Sequence, residues 1–186
     1  MIGFPRNEGR ESREDDVDLK TYIRDIPDWP KEGVLFRDIT PLLGNKDSFK
    51  YAIDTIANHY EDKKVDIVLG AEARGFIIAS ALAYKMGCGF VPARKPGKLP
   101  YATCHAEYEL EYGVDKLEMH EDAIKPRDKV LIVDDVIATG GTAAAKVKLV
   151  EQLGGEIVGV AFLIELTFLN GRKKLEGYDI FSLISY

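Results

Sequence analysis

Val130-Leu131-Ile132-Val133-Asp134-Asp135-Val136-Ile137-Ala138-Thr139-Gly140-Gly141-Thr142 sets four consecutive apolar β-formers before two adjacent carboxylates and a small, hydroxyl-rich turn. Four apolar residues without polar alternation suit a strand buried on both faces, as in a parallel sheet. Such sheets bind ligands beyond the carboxyl ends of their strands. Asp134 and Asp135 read as sitting at that end. Behind them, Ala138, Thr139, Gly140, Gly141 and Thr142 offer closely spaced backbone N–H groups and two hydroxyls, leading into the helical pattern Ala143-Ala144-Ala145-Lys146-Val147-Lys148-Leu149-Val150. A helix that starts this way holds a phosphate. The carboxylates can accept hydrogen bonds from vicinal ribose hydroxyls while the turn donates to a 5-phosphate, so one sugar phosphate satisfies both halves. A plainer reading ends a strand at the two aspartates and caps the helix with Thr139 or Thr142. It leaves the repulsion of neighbouring carboxylates without a purpose, because capping needs a single oxygen.

At 186 residues and 46% hydrophobic, the chain suits one domain with a full core. Its formal charge of −6 argues against nonspecific affinity for nucleic acid or an anionic membrane, so any anionic ligand must meet local positive charge. The opening Met1-Ile2-Gly3-Phe4-Pro5-Arg6 lacks the apolar core of a signal peptide. No segment approaches the ~18 apolar residues of a membrane span, so the expected location is the cytoplasm, with no membrane partner. Cys88 and Cys104 are expected to stay reduced there, and His59, His105 and His120 have no metal-ligand spacing.

Residues 1–17 read as a disordered head, rich in charges of both signs. Residues 18–186 read as a single α/β domain, a mostly parallel sheet flanked by helices. Asp18 is an expected N-cap for a helix carrying Leu19, Tyr22, Ile23 and Ile26 until Pro27 stops it. A turn around Trp29-Pro30-Lys31-Glu32-Gly33 follows, and Phe49, Ile53, Ile56, Ala57 and Tyr60 mark a second helix. Strand patterns at 65–69 and 89–93 flank a mostly apolar helix at 76–86, a βαβ unit. The strand at Val130, the helix to about Leu153 and a strand at 157–164 repeat it, and a last strand covers 178–184. Between the units, Tyr108, Leu110 and Tyr112 alternate with Glu107, Glu109 and Glu111, and Gly113 supplies a turn. That pattern predicts a hairpin flap over the sheet's carboxyl edge, within about 95–120. Arg172, Lys173 and Lys174 read as solvated surface charge.

Two further loops fall at the same edge. Gly70-Ala71-Glu72-Ala73-Arg74-Gly75 joins the strand ending at Leu69 to the next helix. Its small residues expose backbone N–H groups, and Arg74 can take phosphate oxygens bidentately. The competing reading is a tight turn with a surface Arg–Glu pair. Arg94-Lys95-Pro96-Gly97-Lys98-Leu99-Pro100-Tyr101 brings three cations to the end of another strand, either as solvated loop charge or, through Arg94 and Lys98, as partners for a departing pyrophosphate.

The Asp134 segment resembles the phosphoribosyl-pyrophosphate (PRPP) motif of the type I phosphoribosyltransferases, and Asp-Asp-x-x-Ala-Thr-Gly-Gly-Thr resembles the adenine phosphoribosyltransferases in particular. Arg94-Lys95-Pro96-Gly97-Lys98-Leu99-Pro100 and Leu110-Glu111-Tyr112-Gly113 match further signatures of that family, and the likeness runs from Leu19 to Tyr186. It implies transfer of phosphoribose from PRPP to adenine, giving AMP and pyrophosphate, with Mg2+ carried on PRPP oxygens and no direct protein ligand. It also implies a homodimer and an N-terminal adenine-binding hood at about 18–44. By resemblance, Asp134 and Asp135 orient the ribose, and Ala138, Thr139, Gly140, Gly141 and Thr142 hold the 5-phosphate. Glu72, Ala73, Arg74, Arg94 and Lys98 receive the pyrophosphate. Leu35, Phe36, Arg37 and Val136 meet the adenine, Phe36 by stacking. Glu111 becomes the general acid/base and Tyr112 the closing residue; the residues alone favour instead a solvated strand carboxylate beside a packed aromatic. The nearest alternative is the same reaction on a 6-oxopurine, and a different class is a non-catalytic PRPP or purine sensor. A P-loop or dinucleotide enzyme is excluded, because neither glycine signature is present.

Overall fold

The computed structural model describes residues 17–109 and 114–186. Apart from Val17, the charged head lies outside them, as do Leu110, Glu111, Tyr112 and Gly113. A 3₁₀ turn, Leu19–Tyr22, opens the fold, and the Asp18 carboxylate accepts from the Lys20 amide at 3.1 Å as its N-cap. The helix expected to continue to Pro27 does not form. Residues beyond Tyr22 extend into β1 (Arg24–Ile26), which pairs antiparallel with β2 (Phe36–Asp38). A helix ending at Pro27 would be barely two turns long and marginal alone. Pairing with β2 satisfies the same backbone groups and is locked by an edge-on contact of Trp29 and Phe36, ring centroids 4.4 Å apart.

The chain then runs through α1 (Thr40–Gly44), α2 (Lys46–His59), β3 (Ile67–Ala71), α3 (Arg74–Met86) and β4 (Gly89–Ala93). Asp38 secures the start of α1 by accepting from the Thr40 amide and hydroxyl at 2.9 and 2.7 Å. Gly87, at φ +68°, ends α3 in the left-handed conformation that glycine adopts without penalty. Next come β5 (Thr103–Glu109) and β6 (Val114–His120), an antiparallel hairpin, then β7 (Lys129–Ile137), α4 (Gly141–Gln152), β8 (Glu156–Glu165) and β9 (Ile180–Ser185).

Strands β4, β3, β7, β8 and β9 lie side by side in that order, and every pairing in this sheet is parallel. The sheet is covered on both faces. Leu131 and Val133 of β7 pack with Ile56 of α2 and Ile78 and Leu82 of α3. Val130 and Ile132 of the same strand pack with Leu149 and Val150 of α4 and Phe162 of β8. Successive strand residues thus enter opposite apolar layers, the physical origin of the unalternated run at Val130. Each fully buried aliphatic side chain contributes about 1.5–3 kcal/mol of transfer free energy.

Candidate active site

β7 extends further than the sequence suggests. Its pairing with β8 continues through Val136↔Ile164 and Ile137↔Glu165, so Asp134 and Asp135 lie inside the strand's last stretch rather than beyond it. Both are buried, at 8% and 6% exposure, and their nearest cations come from opposite layers. Lys146 of α4 donates to Asp134 Oδ2 at 2.7 Å, and Arg74, the first residue of α3, places Nε 2.6 Å from Asp135 Oδ2. Asp134 Oδ1 also accepts from the Asp135 amide at 3.0 Å. The Arg74 N–H is not aimed along the short approach, and Asp135 Oδ2 remains a buried acceptor without a hydrogen bond. Burial above all, and then the neighbouring Asp134 charge, push the Asp135 carboxyl up to about 7. Arg74 and Lys146 work against that shift.

Gly75 makes this approach of α3 to β7 possible, because a Cβ there would overlap Asp134 Oδ1. On the other side of the aspartates, the turn from Ala138 to Gly140 is braced by Gly171, a residue of the family likeness to which the sequence assigns no role. A Cβ on Gly171 would overlap the Ala138 carbonyl, and one on Gly140, itself at φ +78°, would overlap the Gly171 carbonyl. The two glycine backbones touch, and the only signal of this in sequence is the isolated Gly171 after Asn170. No side chain caps α4, so the N–H groups after Gly140 face outward without a protein acceptor from a cap. The same holds for α3, whose N-cap Ala73 brings no side-chain hydrogen bond. Two uncapped helix N-termini therefore lie at the carboxyl edge of one sheet, after β3 and after β7, and each suits an anion.

The surface pair between Arg74 and Glu72 of the competing reading does not form. Glu72 instead accepts from Arg94 Nη2 at 2.9 Å and from the Lys95 amide, tying the loop after β3 to the loop after β4. Burial raises the Glu72 carboxyl, but these donors outweigh it and hold the group below its ordinary value. Arg94 also donates to the Lys98 carbonyl at 3.1 Å, and its main chain pairs with Glu118 of β6. The base of the hairpin is thus fastened beside Arg94 and Lys98. The peptide bond between Glu72 and Ala73 is cis.

The β1–β2 hairpin brings Phe36 to the same group. Arg74 lies over the Phe36 ring, 4.8 Å from its centroid, so the candidate purine platform, the candidate pyrophosphate cation and a candidate ribose carboxylate meet at one guanidinium. Leu35 is exposed and Val136 half-buried. Arg37 pairs with Asp25 and lies 3.7 Å from the Tyr186 ring centroid, which engages its side chain within the hood. Glu111 and Tyr112 lie outside the described residues. Arg172 is exposed as expected but is not free surface charge: it donates to both Glu165 oxygens at 2.7 Å and to the Ile180 carbonyl at 3.0 Å, joining β8 to β9. Leaving either member of a buried pair such as Lys146–Asp134 alone would cost about 3–5 kcal/mol.

This arrangement can hold two anionic groups and a polyol between them, under an aromatic hood. Known proteins of the same build are numerous. The phosphoribosyl transferase domain model matches residues 39–183. An adenine phosphoribosyltransferase of a Thermotoga species is 61% identical over 91% of this chain and 100% of its own length. That of Brachyspira hyodysenteriae is 62% identical with the same coverage. Among solved structures, the adenine phosphoribosyltransferase of Thermoanaerobacter pseudethanolicus superposes with a TM-score of 0.88 at 55% identity, covering 90% of this chain and 98% of that one. The Saccharomyces cerevisiae enzyme, complexed with D-2,5-dideoxy-2,5-imino-altritol 1,6-bisphosphate and adenine, gives 0.85 at 44% identity, covering 89% and 96%. Sheet order, paired aspartates, two open helix ends and near full-length likeness agree: the chain belongs to the adenine phosphoribosyltransferases.

Proposed function

We propose that the chain transfers the 5-phosphoribosyl group of PRPP to adenine, releasing AMP and pyrophosphate, and so acts as a pentosyltransferase of purine salvage. The observation that carries this reading is the convergence on Arg74. That residue joins Asp135, the loop after β3 and Phe36, which are the three regions a ribose, a pyrophosphate and a purine would occupy.

Displacement at the anomeric carbon develops positive charge on the sugar and negative charge on the leaving pyrophosphate, so positioning and charge stabilisation supply much of the rate. Asp134 and Asp135 accept the ribose hydroxyls, Asp135 Oδ2 becoming available as Arg74 turns from it to phosphate oxygens. The backbone from Ala138 to Thr142 and the open end of α4 take the 5-phosphate. Arg74, the end of α3, Arg94 and Lys98 receive the pyrophosphate. Phe36 stacks on adenine, flanked by Leu35, Arg37 and Val136. Glu111 manages the purine proton while Tyr112 helps the hairpin exclude water.

Among the described residues no three His, Cys, Asp or Glu side chains converge as a metal cage. A Mg2+ carried on PRPP oxygens would sit beside Asp134 and Asp135, which hold the adjacent hydroxyls. When bound, the ion neutralises leaving-group charge. A homodimer is supported by Ile77 and Tyr84, exposed apolar side chains seven residues apart on α3. No helix among the described residues is long and apolar enough to cross a membrane, and a cytoplasmic setting accords with a substrate such as PRPP.

The test is Asp134→Asn combined with Asp135→Asn. Circular dichroism should show an intact fold while kcat/KM for PRPP drops by about a hundredfold or more. Unchanged steady-state kinetics would remove both residues from the ribose site.

A further inference from the structure

Lys146 is wholly buried, at 0% exposure, in a helix whose other inward residues are apolar. A lysine is almost never found in such a position without a partner. Its ammonium donates to Asp134 Oδ2 at 2.7 Å and to the Val133 carbonyl at 3.1 Å, reaching across from α4 to the main strand of the site. We propose that Lys146 is a positioning residue of the sugar site, which pins the Asp134 carboxylate in one orientation for a ribose hydroxyl. The inference rests on the phosphoribosyl-transfer reading and extends it to a buried residue of α4 that acts through Asp134.

The physical case has three parts. Packing alone does not call for a lysine here, because buried ion pairs are often no more stable than apolar residues of similar volume. Charge balance does call for one: two adjacent buried carboxylates cannot both ionise without compensation, and the cations supplied are Arg74 from the α3 layer and Lys146 from the α4 layer. Geometry then sets the role. Lys146 occupies Oδ2, while Oδ1 is held by the Asp135 amide and lies against Gly75. A carboxylate fastened at both oxygens presents its remaining lone pairs in fixed directions, the preorganisation that a sugar-orienting group requires.

The test is a coupling measurement on PRPP affinity in the presence of Mg2+, read by titration calorimetry and by steady-state kinetics. Lys146→Met should weaken PRPP binding about tenfold while leaving the adenine KM within twofold of the parent. In an Asp134→Asn background the same substitution should change PRPP binding by less than twofold, because the group that Lys146 acts through is gone. Should Lys146→Met alone not fold, Lys146→Gln, similar in length and still polar, replaces it in both the parent and the Asp134→Asn background, so the full cycle is still read. A lysine serving only the fold would lower the melting temperature and either leave PRPP affinity of the folded fraction unchanged or weaken it by the same factor in the Asp134→Asn background. Either result overturns the proposal. A parent protein that binds PRPP without making AMP would remove the transfer reaction and leave this comparison intact, whereas one that does not bind PRPP overturns both.

Discussion

Arg74 and Asp135 form an ion pair across the layers of the fold, Nε to Oδ2 at 2.6 Å, joining the first residue of α3 to the end of β7. The pair links the pyrophosphate loop to the sugar site, and the same guanidinium covers Phe36 at 4.8 Å. Binding of PRPP is expected to exchange this internal pair for two external ones, a ribose hydroxyl on Asp135 and phosphate oxygens on Arg74.

Arg74→Ala should therefore raise the PRPP KM by about tenfold or more and weaken inhibition by pyrophosphate in parallel. Because the Arg74 charge draws the Asp135 carboxyl downward, its loss should also move the acidic limb of kcat/KM for PRPP to higher pH. Arg74→Lys should recover only part of the affinity, since a point charge lacks the guanidinium fork. A pH profile that does not move would separate Arg74 from Asp135.

Asp135 carries an electrostatic cost in the folded chain. Burial and Asp134 raise its carboxyl from 3.8 to about 7, with Arg74 and Lys146 opposing. Across that window the folded chain holds a proton that the unfolded chain has released, so this group favours folding at low pH and loses that contribution as pH rises through about 7. Asp135→Asn should erase the dependence. Its melting temperature should match the parent's in acid and exceed it by a few degrees near pH ~8, while PRPP use collapses. A constant difference across pH would contradict the assignment.

The phosphate turn leans on Gly171. Gly171→Ala would drive a methyl group into the Ala138 carbonyl, displacing the backbone that meets the 5-phosphate. The expected result is a loss of affinity for ribose 5-phosphate and PRPP with little change in adenine KM. Equal loss for both substrates would show a general loosening instead.

The parts of the fold that could be read in sequence were those fixed by nearest neighbours along the chain. The unalternated run at Val130 announces a strand covered on both faces, and Asp134-Asp135 followed by Ala138-Thr139-Gly140-Gly141-Thr142 carries its chemistry in one segment. Leu19, Tyr22, Ile23 and Ile26 show helical spacing, yet β1 forms because its partner, Phe36–Asp38, arrives across an intervening turn. Arg172 looked solvated because Glu165, Ile180 and Ser182 reach it only through the parallel alignment of β8 and β9. Lys146 carried a faint signal, falling three and four residues before Leu149 and Val150 on the inward face of α4. Its partner Asp134 lies twelve residues earlier, where only the fold brings it into reach.

Glu111→Ala should lower kcat by about a hundredfold while leaving PRPP affinity nearly unchanged, as expected of a group that handles the purine proton after PRPP is already seated. A change confined to melting temperature would return Glu111 to a solvated strand carboxylate.

The most direct test of the whole account is nucleotide formation from PRPP offered adenine, hypoxanthine or guanine, each with and without Mg2+. The account predicts AMP from adenine in the presence of Mg2+ and little product from either oxopurine. Product from an oxopurine alone, or tight PRPP binding with no nucleotide formed, would contradict it.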